Sequence, residues 1–210
     1  MGKVMIDQNL IGTLNEVYKN ASPSEIIKKA FELHNEAVVT TNFRPYEAAI
    51  LHAVSEVKTT IPVVWCDTGY NTPQTYKHAE QVIKKLNLNV FLYVPKQTSA
   101  HRDVVMGIPS IDAPEHALFT EQVKLEPFKR AMGEHKPKVW FTNLRQGQTA
   151  FRNSIGIFSL SKDGILKVSP FYFWTDEKLD AYLEENNLPN EFKYFDPTKA
   201  LENRECGLHA

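Results

Sequence analysis

Cys206 stands in Arg204-Glu205-Cys206-Gly207-Leu208-His209, near the C-terminal end of a 210-residue chain. A thiol attacks as its thiolate, and a positive neighbour such as Arg204 raises the thiolate fraction. His209 adds an imidazole whose charge changes near neutral pH. Gly207 beside the thiol lets the segment move, so the sulfur can meet a substrate first and a reductant afterwards. The bland alternative is a frayed tail with an incidental cysteine. Cys66 is different: it follows Val63-Val64-Trp65 in an apolar run and is expected as a buried, inert thiol. Two cysteines fall short of the four thiolates an iron–sulfur cluster takes, so no cluster is expected. Cys206-x-x-His209 has ligand-like spacing, but His101, His116 and His135 form no paired motif, so no metal is expected either.

A nucleophile needs a held substrate, and three polar segments directly follow apolar runs. They are Thr40-Thr41-Asn42-Phe43-Arg44, Asp67-Thr68-Gly69-Tyr70 and Asn143-Leu144-Arg145. Hydroxyls and backbone N–H groups at such a strand end can cradle phosphate or sulfate. Gly69 permits a tight turn where Asp67 and Thr68 present polar groups. After Asn143 the chain continues through Arg145, Gln148 and Arg152 with little apolar patterning. The planar fork of arginine suits phosphate and sulfate oxygens. Lys124, Arg130 and Lys167 can add charge, although most such side chains merely solvate a surface.

The elements that must position these residues follow from periodicity and caps. Ser22-Pro23-Ser24-Glu25 has the form of a capping box and starts a helix with Ile26, Ile27, Ala30 and Phe31 on one face. Ala37 to Thr41 is a β-branched strand, Pro45 to Val57 a helix, and Ile61 to Cys66 a strand for a buried parallel position. Thr72 and Pro73 open another helix, and Asn89 to Val94 is the next strand. Pro95 to Pro114 reads as a substrate-covering loop with a short helix inside. Phe119 to Gly133 reads as a helix interrupted near Pro127. Lys138 to Thr142 is a strand, Ile157 to Ser161 and Ile165 to Ser169 a hairpin through Asp163-Gly164, and Thr175 to Asn186 an amphipathic helix.

This alternation predicts an α/β fold: a twisted, largely parallel sheet with helices on both faces. Ligands bind such sheets beyond the carboxyl ends of the strands, where the three polar segments would converge. One domain is expected over residues 1–190, with residues 191–210 as a mobile tail carrying Cys206. A formal charge of −1 gives no global attraction to nucleic acid, while 42% hydrophobic residues support a sizeable core. No apolar run approaches a membrane span, and Met1 to Leu10 lacks the pattern of a secretory signal. A soluble cytoplasmic protein is expected.

Together these residues resemble the phosphoadenosine phosphosulfate (PAPS) reductase family. The similarity runs through Asp67-Thr68-Gly69-Tyr70 with Pro73, Thr75 and Tyr76, then Lys124-x-Glu126-Pro127 with Arg130-Ala131. It continues in Leu144-Arg145-x-x-Gln148-x-x-x-Arg152, in Lys167-Val168-x-Pro170 with Trp174, and ends in Glu205-Cys206-Gly207-Leu208-His209, the most specific match. The resemblance implies an adenine-nucleotide α/β fold of the ATP-pyrophosphatase type. It implies that Cys206 attacks the sulfur of PAPS, leaving an S-sulfocysteine that thioredoxin or glutaredoxin reduces with release of sulfite. His209 would assist the thiolate or its adduct. Thr40, Thr41, Asn42, Phe43, Asp67, Thr68, Gly69, Lys124, Arg145, Gln148, Arg152 and Lys167 would hold the nucleotide, which is PAPS or adenosine phosphosulfate (APS). A homodimer is compatible with dimers among relatives.

Two departures from the family pattern stand out. The first strand is followed by Asn42-Phe43-Arg44-Pro45-Tyr46, which has no glycine and offers Arg44 as a charge partner instead. The segment between Trp174 and Cys206 is short, with no evident counterpart of the basic and hydroxyl-bearing stretch that covers the site in relatives. Two other functions share this scaffold: a non-catalytic nucleotide-binding or regulatory protein, and an enzyme that activates its substrate with ATP.

Overall fold

The computed structural model describes residues 6–149 and 152–199. Cys206 and His209 lie outside the described residues. Helices α1 (Gln8–Tyr18) and α2 (Pro23–Leu33) precede an alternation of β1 (Ala37–Thr41), α3 (Glu47–Val57), β2 (Pro62–Cys66), α4 (Pro73–Leu86) and β3 (Asn89–Tyr93). Then α5 (Ser99–Val105), α6 (His116–Thr120) and α7 (Glu126–His135) lead to β4 (Val139–Phe141). The hairpin of β5 (Phe158–Leu160) and β6 (Leu166–Val168) is followed by α8 (Asp176–Glu185).

Local chemistry sets most boundaries. The α2 capping box forms, with the Ser22 hydroxyl accepting from the Glu25 N–H and the Glu25 carboxylate accepting from the Ser22 N–H at 2.7 Å. Thr72 caps α4 by accepting from the Thr75 N–H at 3.1 Å, and Asn87 ends it in the left-handed conformation. The helix expected from Phe119 to Gly133 is broken upstream of Pro127 by a π turn over Glu121–Leu125. Proline has no N–H to donate and crowds the carbonyl four residues back, so the hydrogen-bond ladder slips there. Lys124 rides on that turn.

The six strands run in the order β3-β2-β1-β4-β6-β5. All neighbours are parallel except β5 and β6, so the sheet is largely parallel as expected. Alternate residues divide between its faces. Val39, Val63, Trp65 and Phe141 join the larger core with α2, α3 and α8, while Val38, Val64 and Trp140 pack beneath α7 with Phe128 and Ala131. Strands buried on both faces must be apolar throughout, which is why Val38, Val39, Val63 and Val64 stand in pairs.

Helix α1 has no clear signature in the sequence, because its stripe of Ile11 and Leu14 is short. Ile11 and Leu14 bury it against the core, and one polar side chain joins it to the sheet edge. The Asn15 amide donates to the Phe158 carbonyl at 2.9 Å and accepts from the Phe158 N–H at 2.9 Å, so it closes the free edge of β5 as a further strand would. Gly156 lies against that amide at φ +82°, and an added Cβ would meet Asn15 at 2.9 Å. Asn15→Ala would leave two buried backbone groups without partners, a loss of about 2–4 kcal/mol measured by urea unfolding. A change below about 0.5 kcal/mol would show that α1 is not seated through this amide.

Candidate functional site

The strand order reverses direction about β1: β2 follows it on one side and β4 on the other. Loops leaving β1 and β4 therefore diverge, and a crevice opens beyond their carboxyl ends. The structure has a solvent-open cleft there. Thr40, Thr41, Asn42 and Arg44 line it from β1, Cys66, Thr68 and Asn71 from β2, and Thr142, Asn143 and Leu144 from β4. Lys124 and Phe128 enter from the α7 side, Arg152 from beyond β4, and Tyr194, Asp196 and Lys199 from the last described residues. Arg44, Lys124, Arg152 and Lys199 against Glu47 and Asp196 leave the lining with two more positive than negative groups. A converging positive lining suits an anionic ligand.

The β1–α3 loop is organised by a buried carboxylate. Glu47 accepts from the Thr41 hydroxyl at 2.8 Å, the Asn42 N–H at 2.8 Å and Arg44 Nε at 2.9 Å. The Asn42 amide turns its nitrogen toward Glu47, at 3.0 and 3.2 Å, and its oxygen toward the Tyr194 hydroxyl, at 2.6 Å; this orientation gives both ends a partner. No glycine stands in the loop, yet Phe43 and Tyr46 adopt φ of 53° and 68°. Such conformations are costly for residues with a Cβ and persist only where the surroundings hold them. Phe43 is held by packing edge-on against Trp65. Tyr46 is held at its N–H by Asn190, at 2.8 Å, and at its carbonyl by Asn143, at 3.3 Å.

Residues 190–199 form a strap across the strand ends. The Lys193 carbonyl accepts from the hydroxyls of Thr72, at 2.6 Å, and Thr75, at 3.2 Å. Farther on, the Lys124 ammonium pairs with Asp196 and donates to the Thr198 hydroxyl at 3.2 Å, all three groups being buried. The Thr198 N–H and hydroxyl also donate to Asp196, at 3.0 and 2.6 Å. Tyr194, Asp196 and Lys199 of this strap line the cleft, which the sequence did not indicate. Sequence reading missed it because the anchors are separated from their partners by 72 to 121 residues and carry no periodicity.

Not every residue singled out from the sequence reaches the cleft. Thr40, Thr41, Asn42, Thr68, Lys124 and Arg152 line it. Phe43 is buried in the core. Asp67 builds the β2–α4 turn instead, accepting from the Gly69 N–H at 2.9 Å, Asn71 at 2.8 Å and the Tyr76 hydroxyl at 3.0 Å. Burial, and then Asp67, push the Tyr76 hydroxyl up to about 12. Gly69 serves that same turn at φ +80°. Arg145 stacks over Tyr46 and pairs with Asp176 at 2.6 Å, beside a neighbouring hollow that Gln148 also lines. Lys167 sits mid-strand on β6 opposite Trp140 and faces a separate cavity under α7. Cys66, expected as buried and inert, lines the cleft. Burial nevertheless pushes its thiol up to about 12 against the pull of Lys124 and Arg130, so it stays protonated at neutral pH.

A sheet of this order with an anion-suited cleft at the β1 switch point defines the adenine-nucleotide α-hydrolase type of α/β fold. The sequence profile of the phosphoadenosine phosphosulfate reductase domain matches residues 36–195. Phosphoadenosine 5'-phosphosulfate reductase of Vibrio atlanticus is 30% identical over 228 residues, covering 95% of this chain and 86% of that protein. The same-named protein of Photobacterium profundum is 28% identical, covering 99% and 91%. Among solved structures, phosphoadenylyl-sulfate (PAPS) reductase from Candida auris, a phosphate complex, superposes with a TM-score of 0.78 at 26% identity over 90% of this chain and 91% of that one. The chain belongs to the phosphoadenosine phosphosulfate reductase family, and reductase chemistry is what that membership carries. Among the described residues no helix is long and apolar enough to cross a membrane.

The strap gives a pH-dependent expectation. Burial raises the Asp196 pKa, but the charge of Lys124 and the hydrogen bonds from Lys124 and Thr198 outweigh it, so the net shift is downward. A depressed carboxylate pKa adds stability above the unfolded value of about 3.9, and this is lost as pH falls through the folded value. Asp196→Asn should cost up to about 3–5 kcal/mol near neutrality, limited by the cost of simply releasing the strap. The gap in thermal midpoint between wild type and variant should be full above about pH 5, begin to narrow near the unfolded value of about 3.9, and close only as pH falls through the lower folded value, read by scanning calorimetry. A gap independent of pH would contradict the buried pair.

Proposed function

We propose that the chain reduces PAPS to sulfite and adenosine 3',5'-bisphosphate in sulfate assimilation, through an S-sulfocysteine on Cys206. The observation that carries this is the cation-lined cleft at the β1 switch point, in a chain whose family and curated relatives are named for that reaction. The Cys206 thiolate attacks the sulfate sulfur, forming an S–S bond as the S–O bond to the nucleotide phosphate breaks. The electron pair of that bond leaves on the bisphosphate. A thiolate of thioredoxin or glutaredoxin then attacks Cys206 Sγ and expels sulfite, and the partner's second thiol releases Cys206 as it closes a disulfide.

Arg152 and Lys199 line the cleft and would neutralise charge that develops on the leaving phosphate, and Lys124 would join them by exchanging its partner Asp196 for the phosphate. Thr40, Thr41, Asn42 and Thr68 offer polar contacts beside them. Asp67, Gly69 and Phe43 act through the shape of the loops, Arg145 and Gln148 from the adjoining hollow, and Lys167 from the neighbouring face. His209 favours the thiolate or its adduct. The protein needs no resident cofactor or metal in this scheme, works in the cytoplasm, and meets a thiol–disulfide partner; a homodimer is compatible with it.

Mixing the full chain with PAPS or APS in the absence of reductant should add a sulfite-sized mass to the peptide bearing Cys206. The adduct should persist in Cys66→Ser, since the Cys66 thiol is protonated and takes no part, and vanish in Cys206→Ser. No adduct with either nucleotide at saturation would sink the proposal, and the ratio of the two adducts reports the preference between PAPS and APS. Arg152→Ala should lower kcat/KM for the preferred nucleotide by about 10²-fold, a typical loss for one aimed charge donor, with the melting midpoint tracked to exclude unfolding.

A further inference from the structure

The β1–α3 loop has the position of an oxyanion cradle: the end of a central parallel strand, leading into the N-terminus of a helix. Its donors converge as such a cradle requires. The converging anion, however, belongs to the chain itself. The Thr41 hydroxyl, the Asn42 N–H, the Asn42 amide nitrogen and Arg44 Nε all donate to the Glu47 carboxylate at 2.8–3.2 Å. Glu47 is only 5% exposed, so its charge is poorly screened by water. Its ion-pair partner is Arg44. His78, whose charged form Glu47 and Glu191 favour, is held below its ordinary pKa by burial and adds no compensating charge near neutrality.

We propose that Glu47 is an internal anion that excludes phosphate groups from the β1–α3 loop and so selects against nucleoside polyphosphates. A carboxylate tethered at the first residue of α3 has an effective concentration no free phosphate matches. A phosphate entering beside it would have to displace a buried carboxylate of like charge from its pair with Arg44, and would find the loop's donors already engaged. Phe43 and Tyr46, at φ 53° and 68°, stand where glycine would let a backbone close on a phosphate, and their side chains keep the loop from doing so. The nucleotide's anionic groups are thereby confined to the side of the cleft carrying Lys124, Arg152 and Lys199. The selection rests on the nucleotide reading above, but the exclusion of phosphate itself does not.

The test is calorimetric titration of the full chain with inorganic pyrophosphate, ATP and adenosine 3',5'-bisphosphate. Glu47→Gln keeps the volume and removes the charge, and should tighten pyrophosphate and ATP at least about tenfold while moving the bisphosphate less than about threefold. Glu47→Ala should do the same and serves if the glutamine variant does not fold. Glu47→Asp keeps the charge and should leave pyrophosphate as weak as in wild type. Unchanged or weaker pyrophosphate binding in a folded, uncharged variant would overturn the proposal, and so would equal tightening in Glu47→Asp. A chain that fails to bind the bisphosphate or to form the Cys206 adduct would refute the reductase reading; the pyrophosphate comparison would still decide the role of Glu47.

Discussion

The burial of β1 is the constraint on which the rest depends. It pairs with β2 on one side and β4 on the other, and both of its faces are covered, so every side chain up to Val39 is apolar. Where β1 ends, polarity is forced back into the chain within two residues. Because β2 and β4 run parallel to it, their ends lie at the same edge of the sheet. The clustering of Thr41, Thr68 and Asn143 is therefore a consequence of topology before it is a feature of any ligand.

That edge is held together by carboxylates. Glu47 gathers the β1–α3 loop from within α3, and Asp196 draws the strap onto Lys124 from the far end of the chain. Both are buried, and each engages a cation of the cleft lining. Buried pairs of this kind add little net stability compared with apolar packing, but losing one partner strands the other charge. They therefore specify arrangement. The loop conformation with left-handed Phe43 and Tyr46 is one such arrangement, over-determined by Asn190, Asn143 and the aromatic contacts around it.

Much of the scaffold was legible in the sequence because it rests on local signals. Paired valines marked buried parallel strands, Ser22 and Thr72 with their prolines marked helix starts, and Asp163-Gly164 marked the hairpin. Helix α1 escaped because its apolar stripe is short and its polar tie to the sheet is an asparagine amide on a strand edge more than a hundred residues away, a contact with no period. The π turn is legible only as an interruption near Pro127. For the site, polar residues at strand ends were recognisable as a set, yet position in the set did not separate lining from scaffolding. Asp67 and Arg145 have the chemistry of ligand-binding groups and use it on a turn and on the N-terminal end of α8.

The sequence by itself determined the fold class, the family pattern and the identity of Cys206 as the thiol with a basic neighbour, since each rests on residue type and spacing along the chain. Tertiary structure alone decided which polar groups face the cleft, that Cys66 joins its wall as a protonated thiol, that residues 190–199 cross it, and that Glu47 occupies the donors of the first loop. These are matters of direction and distance between segments remote in sequence. A side chain's partner depends on the strand or helix opposite it, and no local pattern encodes that.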